Sequence, residues 1–218
     1  MKIKINLTVN RAVQILLGYL FFVVMSTGFF LPIFAVFITD FVYGATLSTV
    51  GFALALYAIA KSCVQIPLAR YLDSHKGERD DFYTLIVGAA IAVLYPFGLL
   101  AVSEIWHLYL IESLIGFGDA ALMSAYYSLF ARHVDKGSEG FEWSLFSVGT
   151  QTLSLAIGGA IGGVLGDVYG FKILFLLSGI VNLMAVFTLF FLYPFINGTR
   201  QESLPPIYIL PKGPSPKG

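Results

Sequence analysis

Residues 12–38 read AVQILLGYLFFVVMSTGFFLPIFAVFI and contain no charged side chain. A helix of this length rises about 40 Å, which exceeds the roughly 30 Å hydrocarbon core of a bilayer. The stretch follows Lys2, Lys4 and Arg11, as the apolar region of a signal peptide would. It is too long for that region, however, and it lacks a convincing small-residue cleavage site. The stretch therefore predicts a retained transmembrane helix.

The rest of the chain has the same apolar character. Hydrophobic residues make up 57% of it and charged residues only 12%, whereas soluble domains carry about 25% charged residues. Short polar breaks divide the chain into six apolar runs. The predicted spans are 12–38, 46–69, 82–102, 105–131, 143–166 and 171–196. We predict an all-α integral membrane protein whose six-helix transmembrane domain covers residues 12–196, with no soluble domain.

Basic residues fix the predicted orientation. Eleven of the thirteen lie at the N-terminus, in the second and fourth loops, or after the sixth span: Lys2, Lys4, Arg11, Arg70, Lys76, Arg79, Arg132, Lys136, Arg200, Lys212 and Lys217. The positive-inside rule then places both termini in the cytoplasm of a multi-pass protein of the cell membrane. Residues 1–11 form the cytoplasmic N-terminus. Residues 197–218 form a proline-rich tail, which we expect to be extended and to be the natural end of the chain.

Two helix-end segments resemble each other. In each, a small residue precedes an aspartate by four positions, and a glycine and then a basic residue follow; the segments are 69–79 and 163–172. One follows span 2 and the other follows span 5, so spans 1–3 and spans 4–6 form two units. Because three spans is an odd number, the units must be inverted relative to each other, which is a known arrangement in transporters.

Three segments carry a family resemblance: ARYLDSHKGER at 69–79, ESLIG at 112–116 and GGAIGG at 158–163. They resemble the loop motif G-x-x-x-D-R-x-G-R-R, the span-4 motif R-x-x-x-G and the span-5 motif G-P-x-x-G-G of the major facilitator superfamily (MFS) of transporters. The chain is thus similar to one six-helix half of such a transporter. Ala69 and Ser74 replace a glycine and an arginine of the first motif, Glu112 stands in place of the span-4 arginine, and Gly159 in place of the span-5 proline.

The resemblance implies a second half. In the MFS fold, spans 1 and 4 line a central cavity, and spans 2 and 5 face the other half. Two parallel copies of this chain would reproduce that arrangement as a C2 homodimer. Arg70, Asp73 and Arg79 would then form a gating loop between the copies. A separate half-transporter chain as partner, or a longer protein of which this is a fragment, are the alternatives.

Two acids inside span 4 are the strongest functional candidates. Glu112 and Asp119 lie seven residues apart, so both project from one face of a helix. A charged side chain in mid-bilayer is costly, by about 2.5–3.5 kcal/mol on insertion scales, and is functional by default. We expect the two acids to couple protons or to bind a cationic substrate in the cavity. The alternative is a structural charge pair between Asp119 and Lys61 of span 2.

The other candidates are polar, aromatic or small residues within spans. We assign a substrate- or proton-binding role to the residues Tyr19, Tyr57, Lys61, Gln151 and Tyr126, with Tyr19 and Tyr126 as stacking platforms. We assign helix packing to the glycines Gly158, Gly159, Gly162 and Gly163, since small residues let membrane helices approach closely.

The predicted function is secondary active transport. We expect a half-size, homodimeric transporter that alternates access to a small cationic, neutral or amphiphilic solute, with proton coupling. The rival prediction is a non-transporting scaffold or assembly subunit, or one half of a split hetero-oligomeric transporter. The sequence shows no nucleophile or metal-ligand pattern that predicts an enzyme, a metal site or a cofactor. Its basic residues are explained by topology, so nucleic-acid binding is not expected.

Overall fold

The computed structural model describes residues 9–75 and 77–196. Within them, six helical spans are long and apolar enough to cross a membrane, and these confirm the predicted number. They are span 1 (Arg11–Phe41), span 2 (Leu47–Ser74), span 3 (Arg79–Leu99), span 4 (Ile105–His133), span 5 (Glu139–Tyr169) and span 6 (Phe171–Phe195). Several helices extend beyond the predicted ends, because polar residues in the terminal turns stay helical. We call the end of the bundle that holds Arg11, Ser74 and His133 the lower end.

Two spans are irregular. Span 1 consists of a helix, Arg11–Gly28, a 3₁₀ turn, Leu31–Ile33, and a second helix, Phe34–Phe41. Pro32, which lacks a backbone N–H, lies in that turn. Span 5 contains a π-helix, Leu145–Leu153, between two α-helical parts. A π-helix has wider turns than an α-helix, so it shifts the faces of span 5 relative to a regular helix. From the π-helix onward, the buried polar and small residues of span 5 are Thr150, Ser154, Gly158 and Gly162.

The spans pack in a repeated pattern. Span 4 packs against spans 2 and 3, span 1 packs against spans 5 and 6, and span 3 packs against span 6. Exchanging span 1 with 4, span 2 with 5 and span 3 with 6 leaves these contacts unchanged. This is the pattern expected for two three-helix units related by a pseudo-twofold axis in the membrane plane.

Glycines set the closest contacts in each unit. A Cβ atom on Gly158 or Gly162 of span 5 would collide with the backbone of Met25 or Phe29 in span 1. In the corresponding contact of spans 4 and 2, a Cβ atom on Gly116 would lie 2.6 Å from the carbonyl oxygen of Tyr57. Gly159 is less confined, since its Cβ would lie 3.5 Å from the ring of Pro32, and Gly163 faces open space.

Two neighbouring glycines therefore allow a matched test of packing. We expect Gly162→Ala to lower the free energy of unfolding by about 1–3 kcal/mol, because a methyl group forces the two helix backbones apart. Gly163→Ala is the control and is expected to leave stability unchanged. Thermal unfolding of the purified protein in detergent compares the two, and equal melting temperatures would show that spans 1 and 5 are not in close contact.

A charged network ties the lower end together. Arg132, near the end of span 4, donates to Asp81 Oδ2 at 2.5 Å and to the carbonyl oxygen of Gly77 at 2.7 Å. Asp81 is fully buried at the start of span 3. Asn10, just before span 1, donates to the carbonyl oxygen of His133 and to Asp135 Oδ1. The network thus joins the lower ends of spans 1, 3 and 4.

Candidate functional site: a polar cavity among the spans

A cavity of about 390 Å³ lies within the bundle, and residues from all six spans line it. This volume falls in the usual range of small-molecule sites, about 300–1,000 Å³. Most of the wall is aliphatic or aromatic. The ionisable side chains in the lining are Tyr57, Lys61, Tyr95, Glu112 and Asp119, and the neutral polar ones are Thr27, Gln151 and Asn182. A mainly apolar wall with a few polar groups is typical of ligand sites.

Asp119 forms the centre of one polar group. Its Oδ2 accepts hydrogen bonds from Lys61 Nζ at 2.6 Å and from Tyr57 OH at 2.6 Å. Lys61 Nζ also lies 3.4 Å from Tyr57 OH. The side chains of Lys61 and Asp119 keep 28% and 24% of their exposure. The ion pair therefore spans two helices at the border of the cavity, where water or a solute can reach it.

The local sequence explains this arrangement. Tyr57 and Lys61 are four residues apart and therefore share one face of span 2. Gly116 brings span 4 close to that face. Asp119 follows Gly116 by three residues, so it lies next to the same contact. A short aspartate on one helix can then meet a long lysine on the other.

Glu112 forms the centre of a second polar group. It is only 2% exposed, and its Oε1 accepts a hydrogen bond of 2.7 Å from Tyr95 OH of span 3. Within the described residues, no basic side chain forms an ion pair with it. The two acids of span 4 thus face one cavity but have different partners.

Asn182 contributes to the wall of the cavity from span 6 and joins three spans. Its Nδ2 donates to the carbonyl oxygen of Ala92 in span 3 at 3.1 Å, and its Oδ1 accepts from Ser26 Oγ of span 1 at 2.8 Å. Ser178 Oγ, one turn earlier in span 6, donates to the carbonyl oxygen of Ser26. These bonds satisfy the polar groups inside the bundle and hold that wall in place.

The structure brings together five of the seven predicted binding residues. Asp119, Glu112, Lys61, Tyr57 and Gln151 all line the cavity. Tyr19 and Tyr126 do not, and the structure places both fully inside the packed core. Tyr126 stacks on Phe130 at 5.8 Å between ring centroids and lies 5.8 Å from Phe146 of span 5. Their positions correct the expectation of stacking platforms for substrate, because neighbouring side chains bury both rings completely.

The predicted gating residues are not part of the cavity. Arg70, Asp73 and Arg79 are exposed at the lower end. Sequence reasoning missed the pair of Asp81 and Arg132 at that end. It also missed Tyr95 and Asn182 in the cavity, although a lone asparagine within an apolar span is a signal that could have indicated Asn182.

No metal site is evident in the part of the chain that the structure describes, since no three His, Cys, Asp or Glu side chains group there. The sequence profile of the Major Facilitator Superfamily matches residues 16–210, which is most of the chain. No curated protein matches the chain.

Proposed function

The chain belongs to the Major Facilitator Superfamily and is a membrane transporter of that type, and from this premise we propose how it works. We propose that it is a half-size secondary transporter, active as a parallel homodimer, that moves a small cationic or amphiphilic solute by alternating access and couples this movement to protons. The observation that carries the proposal is the ion pair of Lys61 and Asp119 at the border of an apolar cavity. Intramembrane ionisable groups at such a place are typical of substrate and proton pathways.

The position of the cavity supports a dimer. Spans 2 and 5 both line it, but span 2 packs mainly on span 4 and span 5 mainly on span 1, so the two spans border a gap. Each presents exposed apolar side chains, such as Ile59 on span 2 and Val148 on span 5. A second copy across this gap would close the cavity and contribute its own polar groups to it.

Symmetry then defines the interface. A twofold axis along the membrane normal, through the cavity, rotates span 2 of one copy to a position beside span 5 of the other. Rocking of the two copies about this axis would open the cavity to one side of the membrane at a time. The exposed Arg70, Asp73 and Arg79 lie at the lower end, where they would meet the partner copy when that side is closed.

Transport is tested directly in proteoliposomes. We expect the wild-type protein to move at least one solute of a panel of organic cations, sugars and amphiphiles when a pH gradient is imposed. Asp119→Asn is expected to abolish this transport. Asp40→Asn is the matched control, since Asp40 is exposed on span 1 and lies outside the cavity. A folded protein that moves no solute across the full panel would favour the scaffold or the split transporter.

The dimer interface is tested with the single cysteine of the chain. Cys63 is exposed on span 2. Val148 on span 5 and Val87 on span 3 are exposed to similar extents, 59% and 58%. We expect Cys63 to form an intermolecular crosslink with Val148→Cys in native membranes and not with Val87→Cys, because span 3 lies away from the proposed axis. Equal crosslink yields from both variants, or no crosslink from either, would contradict this interface.

A further inference from the structure

We propose that Glu112 is the binding point for a monovalent organic cation with an apolar body, and that the cation displaces a proton from this carboxyl group. Tyr95 positions the carboxyl group for this exchange. The proposal rests on the proposed function, since it names the substrate class of the same cavity. It also separates the roles of the two acids in span 4.

The two acids differ in charge balance. Asp119 has the ammonium group of Lys61 at 2.6 Å, so the pair carries no net charge. Glu112 has only the hydroxyl group of Tyr95, which is neutral. With two carboxyl groups and one lysine, the lining of the cavity has room for one more positive charge. That charge belongs beside Glu112, because Asp119 is already paired.

The surroundings of Glu112 make an unpaired carboxylate costly. It is nearly fully buried in the upper half of span 4, and Phe30, Leu31 and Ile115 line the same cavity. In such surroundings a carboxyl group takes a proton or an opposite charge. Glu112 cannot hold a proton and a cation at the same time, so one replaces the other. When the cation binds, the neutral acid releases its proton to water and the resulting carboxylate pairs with the cation.

Aromatic rings beside Glu112 suit an organic cation better than a hydrated metal ion. Phe30 lies 6.0 Å from Tyr95 and 6.2 Å from Phe34, measured between ring centroids, and all three line the cavity. Aromatic faces attract cations, most strongly where water is excluded. The aliphatic walls formed by Val23, Val24 and Leu122 offer a surface for the apolar part of the ligand.

The other ionisable groups that line the cavity limit the proton exchange to Glu112. Span 2 contributes Tyr57 and Lys61, span 3 contributes Tyr95, and span 4 contributes Asp119. Spans 1, 5 and 6 contribute none to the lining that the structure describes. Lys61 and Asp119 are already paired with each other, and tyrosine hydroxyls remain protonated at neutral pH. Glu112 is therefore the group in the cavity whose proton a cation can displace.

Calorimetry with tetraphenylphosphonium tests the proposal on the purified full chain in detergent micelles. Protein-free micelles are the blank, and tetraphenylborate, of the same size and opposite charge, is the ligand control. We expect the cation to bind and the anion not to bind. Titration in two buffers of different ionisation enthalpy is expected to show release of about one proton per bound cation at mildly acidic pH.

Two variants locate the site. Glu112→Gln keeps the hydrogen bond from Tyr95 and is expected to weaken cation binding at least about tenfold and to abolish the proton release. Asp40→Asn removes an exposed carboxylate of span 1 outside the cavity, so it is the control and is expected to keep both. Unchanged binding in Glu112→Gln, or an equal loss of binding in Asp40→Asn, would overturn the proposal. If Glu112→Gln fails to fold, Tyr95→Phe takes its place: it removes the hydrogen bond to the carboxyl group and is expected to weaken cation binding, and unchanged binding in it would overturn the proposal.

The assay also separates this inference from the proposed function. Binding in micelles requires neither transport nor a membrane. A protein that binds the cation with proton release but moves no solute in proteoliposomes would support the cation site at Glu112 and contradict the proposed transporter. A protein that transports an amphiphilic solute and does not bind the cation would support the proposed transporter and contradict the cation site at Glu112.

Discussion

Replacement of Asp119 by asparagine is expected to abolish proton-coupled transport and to weaken the fold. The change removes the carboxylate and leaves the ammonium group of Lys61 without its partner at 2.6 Å. Breaking a buried pair costs about 3–5 kcal/mol, but both side chains here are about one quarter exposed, so we expect a loss of about 1–3 kcal/mol. Uptake in proteoliposomes and thermal unfolding in detergent measure the two effects separately.

A second substitution separates function from structure. Lys61→Met added to Asp119→Asn removes the stranded charge, and it is expected to restore the melting temperature while transport stays absent. If the double variant also transports at the wild-type rate, the pair of Lys61 and Asp119 has no part in the transport cycle. If Asp119→Asn alone changes neither stability nor transport, the pair has no role that these measurements detect.

Replacement of Arg132 by methionine is expected to have the largest effect on stability. Asp81 is fully buried, and Arg132 supplies its ion pair and also binds the carbonyl oxygen of Gly77. Removing one partner of a buried pair leaves an uncompensated charge, at a cost of about 3–5 kcal/mol. Melting curves of the purified protein, or the yield of monodisperse protein from membranes, will show this loss.

Arg79→Met is the control for Arg132→Met, because Arg79 is exposed at the same lower end. It is expected to leave the melting temperature unchanged. The double variant Asp81→Leu/Arg132→Met replaces the whole pair by apolar groups and is expected to recover much of the lost stability. A melting temperature for Arg132→Met equal to that of Arg79→Met would contradict the role of the pair in holding the lower end.

Composition and charge predicted the main features of the fold. Six apolar runs of membrane length predicted six spans, because a helix satisfies its own backbone hydrogen bonds in lipid. The cost of charges in lipid directed attention to Glu112, Asp119 and Lys61, and all three line the cavity.

Other features depend on tertiary contacts that the sequence does not encode locally. The π-helix Leu145–Leu153 has no local signal in the sequence. Tyr126 was predicted to be a stacking platform for substrate. The aromatic cluster with Phe130 and Phe146 encloses it instead. Tyr95 became a candidate only when spans 3 and 4 were placed side by side.

The measurement that tests the central claim most directly is a mixing experiment. Wild-type and Asp119→Asn chains with different affinity tags are coexpressed in varied ratios and reconstituted together, and uptake of the solute found in the panel is measured. If two copies form one cavity and each must be intact, activity will follow the square of the wild-type fraction, about a quarter at equal amounts. Activity in linear proportion to the wild-type fraction would show that each chain works alone or with a different partner, and would contradict the homodimeric transporter.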